Sequence, residues 1–184
     1  MIPSREEIYR QLMEHGRHVE RERAWLLNFY ILVLAAVIYG LSESHGIELP
    51  IAFIILSMFS IVALIATIKL DAEYAHILRL IEDLIPDAPL PVSRTWYRPF
   101  LSVGSWTSFF YGFMFALFIS FVFKGLHIPT TPLHVAWLTF SGMGAFCLRH
   151  AVTEHTRQKS SWCIWLVLSV IFILISFALG VFLL

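Results

Sequence analysis

Five apolar stretches, Trp25–Leu41, Pro50–Leu70, Trp106–Phe123, Leu133–Leu148 and Trp162–Leu184, alternate with polar segments along the chain. Nothing else constrains the fold as strongly. About 20 apolar residues, rising 1.5 Å each, cross a hydrocarbon core of roughly 30 Å. Hydrocarbon then admits only helices and closed barrels, because every backbone polar group must be satisfied internally. With 58% of its 184 residues hydrophobic and 14% charged, the chain cannot hide these runs in a water-soluble core. The expected fold is all-α, a polytopic transmembrane helical bundle of about five spans with cytoplasmic amphipathic helical extensions.

Charge orients the bundle. Arg5, Arg10, Arg17, Arg21 and Arg23 precede the first span, and the next loop carries no Lys or Arg. Lys69, Arg79, Arg94 and Arg98 follow the second span, Lys124 alone follows the third, and Arg149, Arg157 and Lys159 follow the fourth. Twelve of the 13 basic residues therefore share one side, which the positive-inside rule makes cytoplasmic. The expected location is the cell inner membrane, multi-pass, with the N-terminus cytoplasmic and the C-terminus outside. The polar first 24 residues carry no cleavable signal, so the first span is expected to act as an uncleaved anchor.

Four segments follow from this pattern. Residues 1–24 read as an amphipathic helix, with Ser4 as cap, Ile8, Leu12 and Val19 on one stripe, and Gly16 as a site for a bend. Residues 25–85 read as a helical hairpin whose second helix runs on past the membrane through Tyr74, Ile77, Leu78 and Ile81 to Pro86. Its stripe is expected to pack on the N-terminal helix, with Glu82 and Asp83 facing the arginines there. Residues 86–105 form a Pro-rich linker and interfacial segment, and Trp96, Tyr97, Trp106 and, later, Trp162 are interfacial anchors, because amphipathic rings favour the headgroup layer. Residues 106–184 form a three-span half. Its phenylalanine-dense first helix is expected to face lipid over most of its surface. The fourth span is expected at the bundle centre, since Ser141, Gly142, Gly144 and Ala145 permit close helix approach, with Ser176 and Gly180 as a matching contact on the last helix.

Catalytic chemistry has little support. Acid–base pairs at mid-depth are lacking, which argues against a proton-coupled carrier. No Cys/His zinc spacing exists, so no metal or other cofactor is expected, and the free thiols Cys147 and Cys163 lie near the cytoplasmic face. Bases are balanced by acids without a dense run, which argues against nucleic acid. The alternative to a non-enzymatic protein is a membrane-edge enzyme using Glu73, His76, Arg149, His150 and Glu154. Glu73 and His76 have the spacing of a di-iron helix motif, but the second copy that such a site needs is missing.

Glu14, His18, Glu20 and Arg23 before the first span, with Lys69, Glu73, Tyr74 and His76 after the second, carry a resemblance. Over residues 5–90 the chain resembles small bacterial membrane proteins in which a charged helix enters a helical hairpin. Some of these accompany antiviral defence systems, and the resemblance implies an effector that oligomerises and compromises the inner membrane. The expected function is thus a self-associating inner-membrane protein, a channel or membrane-perturbing effector, whose partners are membrane lipid and further copies of itself. A passive anchor recruiting a soluble cytoplasmic partner through residues 5–24 and 71–98 is a further alternative.

Overall fold

A computed structural model of the protein describes residues 4–42, 49–84, 103–124 and 132–183, and all regular structure among them is helical. Five helices follow one another: α1 (Arg5–Ser42), α2 (Leu49–Leu84), α3 (Val103–Lys124), α4 (Pro132–Thr156) and α5 (Trp162–Leu183). The Pro86–Pro91 linker, Trp96, Tyr97 and the turn from His127 to Thr131 lie outside the described residues.

The chain is a transmembrane-type helical bundle. α1, α2, α3 and α5 each contain a stretch long and apolar enough to cross a bilayer. α4 is less apolar, and the reason is its place. His134, Trp137, Leu138, Gly142, Gly144, Ala145, Phe146, Cys147, Arg149, His150 and Ala151 are all buried, so neighbouring helices rather than lipid cover it. A helix enclosed by others need not be apolar all round.

Chain direction alternates. Trp137, near the start of α4, packs under Gly180, near the end of α5, while Gly144 packs against Ile173. Phe146 and Trp165 meet further along, their rings tilted and their centroids 6.3 Å apart. The two helices thus run antiparallel over the full depth of the bundle.

α1 is one continuous helix through Gly16, joining the amphipathic segment to the first span without a break. Ser4 Oγ accepts from the Glu7 amide at 3.3 Å and caps its start. Val19, Ile77 and Ile81 form a buried cluster with Tyr9, Leu12, Met13, Leu70 and Tyr74 around it, so the apolar stripe of the projecting α2 is covered by α1. A Cβ at Gly16 would sit in ordinary contact 3.5 Å from the Tyr74 ring, so the approach of the two helices does not depend on glycine there. The expected charge pairing across this contact is not what forms. Glu82 pairs with Arg157 after α4 at 3.0 Å, and Asp83 sits 3.9 Å from Arg79 on its own helix.

α3 also departs from expectation. It is an interior helix rather than a lipid-facing one, with Ser105, Thr107, Ser108, Tyr111, Ala116, Phe118 and Ser120 buried. Small residues interspersed among its phenylalanines create the contact face. A Cβ on Gly112 would fall 2.7 Å from Ala145 Cβ, and Phe118 stacks on Phe53 of α2 while Phe121 meets the same ring at a tilt.

Candidate functional site

Four apolar segments end at one level, and the polar residues just past those ends converge. Arg23 stands two residues before Trp25, Asp71 follows Leu70, Ser105 precedes Trp106, and Arg149 follows Leu148. Helical direction alone would place these ends on one side of the bundle, and the side chains close the gap. Asp71, 2% exposed, accepts from Arg23 Nη1 at 2.5 Å and from Arg149 Nε at 2.5 Å. Arg149 Nη1 donates to Ser105 Oγ at 2.7 Å. His150 Nε2 lies 2.9 Å from that oxygen, and its ring sits between Phe146 and Trp165 with centroids 4.8 and 4.9 Å away.

A buried carboxylate shared by two guanidiniums is costly to assemble, because each ion loses water. Excellent geometry offsets that cost, since charge-assisted hydrogen bonds are about twice as strong as neutral ones. The node therefore ties α1, α2, α3 and α4 together at the basic end of the bundle. Tyr74, one turn beyond it and outside the apolar span, has Arg23 6.0 Å from its ring centre. Burial pushes its phenol above the usual value and the Glu20 carboxylate adds to this, while Arg23 and Arg157 oppose it.

Toward the opposite end the polar groups are hydroxyls. Tyr30 Oη meets Ser60 Oγ at 2.7 Å, and Ser60 Oγ also donates to the Leu56 carbonyl at 2.8 Å. Ser141 Oγ meets Ser176 Oγ at 2.5 Å and the Trp137 carbonyl at 3.0 Å. A groove of about 540 Å³ opens between α2 and α5 over a floor of α3 and α4. Small residues line much of it: Gly112, Ala116, Ser141, Ala145, Ser176 and Gly180. Ile61, Phe177 and Val181 form an exposed rim.

The packing residues singled out in the sequence lie at helix contacts. Gly142 faces the Phe109 ring and Gly144 faces Ile173, so both are used inside one chain. Trp106 is 53% exposed, as an interfacial ring can be, and Trp162 stacks edge-on with His155 at 4.9 Å. Trp96 and Tyr97 lie outside the described residues.

The five candidate catalytic residues do not share a site. Arg149 and His150 belong to the node. Glu73 bonds His15 at 3.0 Å, His76 is exposed, and Glu154 accepts from Ser161 at 2.7 Å. No group of three or more His, Cys, Asp or Glu side chains stands at metal-binding distance among the described residues.

Asp71, Ser105 and Arg23 are the members of the node that motif reasoning passes over. Their signal is positional: each is a polar residue within two positions of an apolar run, and the helices alternate in direction. No protein family, curated protein or solved structure matches the chain. What it does must therefore be read from the bundle itself.

Proposed function

We propose that the chain is a non-enzymatic, multi-pass protein of the inner membrane that self-associates within the bilayer. Its N-terminus and the Asp71 node lie on the cytoplasmic side and its C-terminus outside, as the positive-inside rule requires of the basic end. The observation that carries self-association is the groove between α2 and α5. In hydrocarbon no hydrophobic force drives helices together, so association depends on close packing, and small residues permit it. Gly112, Ala116, Ala145 and Gly180 line a recess with an apolar rim at membrane depth. Its polar members, Ser60, Ser141 and Ser176, are already hydrogen-bonded, so side chains of an apolar helix from a second copy suit it.

The biological role comes from the resemblance of residues 5–90: an effector of antiviral defence that perturbs the inner membrane. Any conduit is expected between copies rather than through one chain.

Cysteine pairs at the rim test the association directly. In a Cys163→Ser background, Ile61→Cys and Val181→Cys introduced together should cross-link neighbouring copies in native membranes. Replacing Ala145 by Phe should fill the recess and abolish the dimer band. A clean monomer in mild detergent, with no cross-link in membranes, contradicts self-association, and lipid acyl chains retained at the recess would then be its occupant.

A second reading has its own observation. The first 20 residues of α1 and the end of α2 form a two-helix arm whose outer face carries Arg10, Glu14, Arg17, His18 and Arg21, all exposed. Such an arm suits a soluble cytoplasmic partner, and unchanged pull-down after deletion of residues 71–98 would retire that reading.

A further inference from the structure

His150 is the one member of the basic-end node whose ordinary titration lies near neutral pH. The hydrogen bonds around it fix its state. Arg149 Nη1 donates to Ser105 Oγ at 2.7 Å and is also in hydrogen-bond contact with His150 Nε2 at 3.3 Å. A guanidinium carries donors only, so the imidazole nitrogen in that contact is the acceptor. Nε2 therefore bears a lone pair rather than a hydrogen, and it faces Ser105 Oγ at 2.9 Å. With Nε2 bare, the ring is neutral and its hydrogen sits on Nδ1.

Every element packed around the ring bears on what a proton would do there. Ser105 of α3 and Trp165 of α5 are uncharged. On its own helix Arg149 precedes it, the buried Cys147 thiol stands one turn before, and Glu154 one turn after. α2 presents Asp71 and α1 presents Arg23, so two guanidiniums already share the node's carboxylate. Glu154 is engaged by Ser161 Oγ at 2.7 Å and by Lys159 Nζ at 3.8 Å. A hydrogen on Nε2 would thus point at a guanidinium and bring a third cation to one carboxylate. The Phe146 and Trp165 rings, with centroids 4.8 and 4.9 Å away, favour a cation. Arg149 Nη1 is closer, and repulsion between whole charges in a buried site outweighs attraction to a ring quadrupole.

We propose that His150 is a proton-operated latch: its neutral ring holds the starts of α3 and α5 against the end of α4, and acidification releases them. The ring is 6% exposed, so protonation and opening of the node occur together. A histidine in an unfolded chain takes its proton at about pH 6.5. The stability that the neutral ring contributes is complete above that value and is lost as the pH falls below it. His15 and His18 act in the opposite sense, because protonation strengthens their pairs with Glu73 and Glu22.

Solid-state NMR of the full chain in liposomes, with isotope-labelled histidine nitrogens, reads the latch without a substitution. The His150 ring is identified by its dipolar contact with Trp165. At a pH of about 7.5 it should show a bare Nε2 and a hydrogen on Nδ1. Unfolding midpoints in one detergent at a pH of about 7.5 and about 5.5 read the consequence. His150→Gln keeps an oxygen that can accept from Arg149 but never becomes charged, and all other groups titrate in both proteins. On acidification the wild type should lose about 3 °C more than the variant, the scale of one pH unit of proton linkage in a chain this long. Equal changes in the two proteins overturn the proposal. So does a hydrogen on Nε2 at the higher pH, a result that stands even if His150→Gln fails to fold.

Discussion

Arg149 and Asp71 stand 78 positions apart in sequence and meet at 2.5 Å in the buried end of the bundle. Arg23 reaches the same carboxylate from a third helix. The helix that carries Arg149 is the one of the five without a stretch apolar enough to cross a bilayer, and this contact is part of the reason. α4 exchanges hydropathy for a buried, paired charge at one end and for glycine contacts along its length.

Removing the carboxylate should be far worse than removing the pair. Asp71→Leu leaves two guanidiniums with no anion among the described side chains, and breaking a buried pair by deleting one partner costs about 3–5 kcal/mol. Asp71→Leu combined with Arg149→Leu should recover much of that loss, since an apolar replacement of a buried pair is often close to neutral. Thermal unfolding midpoints in one detergent for the two variants check this. A double variant as unstable as the single one would show that the pair itself is net stabilising.

Glycine substitutions should separate two kinds of contact. Gly112→Ala places a Cβ 2.7 Å from Ala145 Cβ and 2.8 Å from the Ser141 carbonyl oxygen, and backbone cannot move aside cheaply. Overpacking of this sort costs about 1–3 kcal/mol. Gly16→Ala meets nothing closer than 3.5 Å. It should be neutral or stabilising by up to about 1 kcal/mol, the helix-propensity difference between Gly and Ala. Unfolding midpoints that move the same way for both would contradict the helix contacts described.

The end of α4 offers a stabilising change. Gln158 has φ of 55°, in the left-handed region. Its amide bonds the His155 carbonyl at 2.9 Å, and the Lys159 amide bonds the Glu154 carbonyl at 3.0 Å. That pairing is a Schellman cap, whose left-handed position favours glycine. Gln158→Gly should raise stability by about 1 kcal/mol, because a Cβ in this conformation costs roughly 1–2 kcal/mol. A lowered midpoint would mean that the Gln158 side chain contributes more than the strain it carries.

The bundle was legible in the chain because its main determinants are linear. Apolar length gives the helices, and the covering of the α2 stripe by Val19 and its neighbours follows from periodicity. Which polar residues meet was not legible. Glu82 was free to pair with any arginine of α1, and it instead found Arg157, which the α4–α5 turn carries beside it. The phenylalanines of α3 looked like lipid-facing rings, but their apolarity carries no information about burial when lipid and core are equally apolar. Gly112, Ser108 and Ser105, set between them, are the better indicator, since small and hydroxyl side chains gain from a helix neighbour and not from lipid. The node itself needed the alternation of helix direction before Arg23, Asp71, Ser105 and Arg149 could be seen as neighbours.

Gathering the basic helix ends on one membrane face is the claim on which the proposed orientation, and the placing of the groove at membrane depth, depend. Single cysteines at Arg10, Gln158 and Leu133, in a background lacking Cys147 and Cys163, can be probed with a membrane-impermeant thiol reagent from either side. Arg10→Cys and Gln158→Cys should label only in inside-out vesicles, and Leu133→Cys only in right-side-out ones. Labelling of positions 10 and 158 from opposite faces would contradict the arrangement.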